Sequence, residues 1–98
     1  MYEIEYAPQA VEDLKWFSRR EQNIVLDGID ANLRHEPTFE TRNRKRLRPN
    51  ATAEWGLRIG NLRVLYDVDA RVRIVEIQRV GEKRGSRILF RGKEEELG

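Results

Sequence analysis

The sequence has no cysteine and only one histidine, His35. Without thiols, neither a disulfide nor a thiolate metal site can carry the fold, which suits a reducing cytosol. His35 has no second histidine beside it, which argues against zinc. It falls at an expected helix end, where the dipole favours it. Ser18 and Ser86 have no paired histidine, so a hydrolase triad is not expected. A glycine-rich phosphate loop is also missing, because Gly81 and Gly85 stand alone near a turn. No apolar run approaches the roughly 18–20 residues that cross a bilayer. The expectation is a cytoplasmic protein with no membrane segment, metal or cofactor. With no repeat and no low-complexity linker, the 98 residues read as one domain spanning 1–98.

Charge is plentiful but unevenly spread. Residues 1–41 hold four Lys/Arg against nine Asp/Glu, a net −5, and residues 42–98 hold fifteen against eight, a net +7. A positive field confined to one half suits a polyanion-binding surface. Arg-rich strands facing water would give the same count.

Tyr2, Ile4 and Tyr6 alternate with Glu3 and Glu5, which predicts a strand with one buried face. Pro8 suits the first turn of a helix, along which Val11, Leu14 and Phe17 share a face. After a break at Ser18-Arg19-Arg20, Val25, Leu26, Ile29 and Leu33 form a second helical stripe, ending before Pro37. Residues 36–53 have no period and read as a loop. Strands follow at about 54–59, 62–68 and 72–80, with a possible short one at 86–91. The order β-α-α-β-β-β predicts an α+β fold: a mostly antiparallel sheet with a helical hairpin on one face and the other face open. The terminal Lys93-Glu94-Glu95-Glu96-Leu97 run is read either as disordered or as folded over basic residues.

Gly60-Asn61 is a two-residue hairpin turn, with glycine supplying positive φ. Its register pairs Ile59 with Leu62, Leu57 with Val64, and Trp55 with Tyr66, giving one apolar face. The other face pairs Arg58 with Arg63, Gly56 with Leu65, and Glu54 with Asp67. Like charges directly opposite each other cost of order 0.2–1 kcal/mol. A phosphate between them removes that cost and suits bidentate guanidinium geometry; splaying into water is the other outcome. Two further basic runs flank the pair: Arg42 to Arg48, including Lys45 and Arg46, and Arg79 to Arg84, with Arg87 beyond. Either run is also compatible with a solvated loop.

The chain's matching stretches are Tyr2-Glu3-Ile4-Glu5-Tyr6, Ala10-Val11-Glu12-Asp13-Leu14, Lys45-Arg46-Leu47, Trp55 through Tyr66, and Ile77-Gln78-Arg79-Val80-Gly81. Together they resemble the RelE/ParE toxin superfamily, the hairpin following its W-x-L-R-x-G-x-x-R-V-x-Y pattern. That resemblance implies a RelE-like fold and a type II toxin neutralised by a cognate antitoxin. RelE-like members cut mRNA on the ribosome without metal and so inhibit translation; ParE-like members poison DNA gyrase. A third possibility is a catalytically weakened antitoxin-binding module. By resemblance, Arg58, Arg63, Lys83 and Arg84 are the candidate catalytic residues. Lys45, Arg46, Arg48, Arg79, Arg87 and Phe90 are the candidate RNA contacts. The chain departs from the pattern at Phe90, where active members commonly carry a tyrosine or histidine, and at Gly56, where they often carry a cation.

Overall fold

In the computed structural model, which describes residues 1–95, the alternating N-terminus forms strand β1 (Glu3–Tyr6). Glu96 and Leu97, the end of the acidic tail, lie outside the described residues. Pro8 opens helix α1 (Pro8–Trp16). Helix α2 (Arg19–Leu33) is capped by Ser18, whose hydroxyl accepts from the Glu21 N–H while the Glu21 carboxylate accepts from the Ser18 N–H. The Ser18-Arg19-Arg20 break is thus the first half of a capping box.

Six more strands follow: β2 (Arg44–Arg46), β3 (Trp55–Ile59), β4 (Leu62–Asp69), β5 (Ile74–Arg84), β6 (Arg87–Phe90) and β7 (Lys93–Glu94). They lie in the order β2-β3-β4-β5-β6-β7, each pair antiparallel, and β1 joins β5 in parallel. One edge of β5 therefore has two partners, β1 along Ile74–Ile77 and β6 along Glu82–Arg84. The expected loop over 36–53 is corrected by β2. Its Arg44 donates to the Asn32 carbonyl at 2.6 Å, among the unpaired carbonyls at the end of α2, where a cation is favoured.

The helices cover one sheet face. Ala10, Phe17, Val25, Ile29 and Leu33 pack on Trp55, Leu57, Val64, Tyr66, Val75, Ile77 and Val80. Two expected core residues are corrected: Val11 and Leu26 are exposed, and Ala10 and Asp13 are the residues that α1 buries. The opposite face is not wholly open either. Ala53, Leu65 and Phe90 form a second small cluster there with Leu47 and Ile88. Two glycines make room for it, because a Cβ on Gly56 would meet Leu47, and one on Gly81 would meet Ile88 and Phe90. No helix among the described residues is long and apolar enough to cross a membrane.

Candidate nucleic-acid interface

The hairpin has the register its turn requires. Gly60 sits at φ 57°, and Arg58 pairs with Arg63, Gly56 with Leu65, and Trp55 with Tyr66. Since side chains alternate along a strand, Arg58 and Arg63 project from the face opposite the helices. Arg63 is anchored there, one terminal nitrogen donating to the Gly60 carbonyl at 2.7 Å and the Leu62 carbonyl at 3.0 Å. Partial burial, and then the Arg58 charge, lower the Arg63 pKa. Burial disfavours the charged form, and the facing Arg58 adds like-charge repulsion. Among the described residues neither guanidinium meets a carboxylate.

Two lysines share this face. Lys83 donates its N–H to the Asn61 carbonyl at 2.7 Å, which ties it to the hairpin turn. It is two residues from Gly81, the partner of Arg63. Lys45 pairs with Gly56. Between these cations lie Leu47, Leu65 and Ile88, giving a basic rim around an apolar floor. Arg48 is exposed on the loop leading to β3.

Other expected site residues are placed elsewhere. Arg84 alternates to the face opposite Lys83 and pairs with Glu82 at 2.7 Å. Arg87, its cross-strand partner, pairs with Glu94 at 3.1 Å. Arg46 lies over the Trp55 ring at 5.7 Å and meets Glu54 at 3.0 Å. Arg79 and Phe90, also expected as RNA contacts, are both buried. Phe90 is fully buried over Gly81, and Arg79 is 7% exposed. Arg79 starts on the Arg58 face, paired with Leu65, but Gln78 is an extra residue where the register slips between Leu65 and Tyr66. Such a bulge re-aims side chains.

The Arg79 guanidinium donates to both oxygens of Asp13, at 2.8 and 3.1 Å, and stacks 4.3 Å above the Phe90 ring. Asp13 also accepts from the Val80 N–H at 3.0 Å. That N–H lies on the stretch of β5 edge between its pairings with β1 and β6, so the carboxylate does the work of a missing strand. Sequence reasoning missed this role. Asp13 lies three positions from Ala10 and four from Phe17, on the stripe that the structure buries.

Neither a family model nor a curated protein matches the sequence. Solved structures do match. A chain of the RelBE2 toxin–antitoxin complex of Mycobacterium tuberculosis is 28% identical, with TM-score 0.71, over 84% of this chain and 98% of that one. The RelE–RelB complex of the archaeon Pyrococcus horikoshii matches at 22% identity and TM-score 0.67, over 87% and 97%. The YoeB–YefM complex of Staphylococcus aureus matches at 21% and 0.63, over 87% and 99%. The chain has the RelE-like toxin fold. On this RelE-like frame the Arg58–Arg63 pair sits on the central hairpin of the face that no helix covers.

Proposed function

We propose that the chain is the toxin of a type II toxin–antitoxin module, acting in the cytoplasm as a ribosome-dependent, metal-independent endoribonuclease on mRNA. The observation that carries this reading is the uncompensated Arg58–Arg63 pair on the uncovered face. A phosphodiester between the two guanidinium groups turns a repulsion into two charge-assisted contacts. The pair is then placed to stabilise the charge that develops at phosphorus.

In the proposed reaction the RNA 2′-hydroxyl attacks the adjacent phosphorus. The new O2′–P bond forms, the P–O5′ bond breaks, and the products are a 2′,3′-cyclic phosphate and a 5′-hydroxyl. The nucleophile is internal to the RNA, so no activated water is needed. The proton leaving the 2′-oxygen and the one reaching the 5′-oxygen need a carrier. An arginine does not release its proton, whereas a lysine amine can exchange one; Lys83, tied to the hairpin turn, is the proposed carrier. In this reading Lys45 and Arg48 hold flanking phosphates, and Leu47 and Ile88 offer an apolar surface to a base.

The RelBE2, RelE–RelB and YoeB–YefM structures are toxin–antitoxin complexes. A cognate antitoxin is accordingly the proposed partner, with an acidic or amphipathic segment covering the basic rim. Induced expression should arrest growth with cut transcripts and undamaged DNA. Arg58→Ala with Arg63→Ala should restore growth while the protein stays folded. Full toxicity of that double variant would remove the arginine pair from the mechanism. Broken DNA with intact transcripts would move the target to DNA gyrase.

A further inference from the structure

The buried Arg79 has a second carboxylate partner. Beyond Asp13, its terminal nitrogens donate to both oxygens of Glu95, each at 3.1 Å. Glu95 reaches this position because the chain reverses at Arg91-Gly92, at φ 53° and 76°. Two left-handed residues in succession make the tight turn that joins β6 to β7. The turn also brings Arg91 to Asp13 at 3.1 Å, and Trp16 of α1 packs against Gly92. The segment therefore lies across the end of α1, and its carboxylate sits among Arg79, Arg91 and Lys93. A concavity of about 390 Å³ lined by Phe90, Arg91, Lys93 and Glu95 opens beside it.

We propose that Arg79, Arg91 and Lys93 form a second phosphate seat, filled in the free protein by the Glu95 carboxylate and taken over by the RNA backbone when substrate binds. The RNA half of this proposal rests on the endoribonuclease reading above. Three observations carry it. First, the seat is built: Arg79 is oriented by a fully buried carboxylate and by an aromatic ring beneath it. Second, its occupant is exchangeable. The Glu95 side chain is 42% exposed, whereas that of Arg79 is 8% exposed, so only the carboxylate side of the pair opens to water. All three cations, Arg79 first, lower the Glu95 pKa, so the seat favours a negative occupant. Third, the seat and the interface share a strand: the backbone of Arg79 stands two residues along β5 from Gly81, the cross-strand partner of Arg63, while its guanidinium reaches over Phe90 to Asp13. A strand whose first phosphate lies between Arg58 and Arg63 can bring another to the Glu95 position.

The test uses the full-length protein and a short 2′-O-methyl oligoribonucleotide, which binds but cannot be cut. Glu95→Gln should raise affinity by about 3–10-fold and steepen the fall of log K with log salt by about 0.7, as one extra single-strand phosphate contact requires. Adding Lys93→Ala should reverse much of that gain. Glu94→Gln changes net charge equally but releases Arg87 on the other face, so its salt slope should match the parent. Equal effects of Glu95→Gln and Glu94→Gln would reduce the result to net charge and overturn the seat. Inorganic phosphate, titrated while following the Arg79 and Arg91 Nε–H resonances, separates the two readings. Shifts in Glu95→Gln, without oligoribonucleotide binding by any form, would support the anion seat and overturn the RNA half of this proposal. Absence of such shifts would overturn the seat whatever RNA does.

Discussion

Asp13 is buried completely and serves three partners: the Arg79 guanidinium, the Val80 N–H and Arg91. Removing one member of a buried ion pair leaves the other charged and unsolvated, which typically costs about 3–5 kcal/mol. Asp13→Ala should therefore destabilise the protein by that order in denaturant unfolding. Asp13→Leu combined with Arg79→Met should cost less than the two single changes together. This residue was not legible in the sequence, because an aspartate on a helix looks the same whether it meets water or a buried arginine. The burial of Arg79 was hidden for the same reason. The charge of Arg79 is visible in the sequence, but the Asp13 carboxylate that holds it is 66 residues away in the chain.

The hairpin element was legible in full. Its turn, alternation and apolar pairing each demand the same register, and the observed pairing of Arg58 with Arg63 follows from them. The opposite case is β2, whose Arg-Lys-Arg sequence has no apolar period. It exists because an edge is available on β3 and because Arg44 finds the end of α2. The one-residue slip at Gln78 was equally hidden, since strand patterns carry no mark of a single insertion. Gly81 shows what the second small core demands of its backbone. A Cβ there would lie 2.8 Å from the Leu89 carbonyl oxygen and 2.9 Å from the Phe90 ring. Overpacking of this kind costs about 1–3 kcal/mol. Gly81→Ala should lower stability by that amount in urea unfolding and increase the exposure of Phe90.

Across the whole molecule, the uneven charge of the sequence becomes spatial segregation only in part. The acidic first half supplies β1 and both helices, and the basic second half supplies the hairpin and its flanks. Which cations face outward together was set by strand alternation. Arg58, Arg63, Lys83 and Lys45 share the uncovered face, whereas Arg46, Arg84 and Arg87 are matched to carboxylates. The fold class was readable because hydrophobic periods determine layers; the membership of the interface was not, because one residue of register moves a side chain to the other face. The most direct measurement is primer extension on mRNA incubated with purified protein, with and without translating ribosomes. The account predicts discrete cuts only when ribosomes are present, reduced at least about 100-fold by Arg58→Ala with Arg63→Ala. Uncut mRNA on translating ribosomes, or cutting undiminished in the double variant, would contradict it.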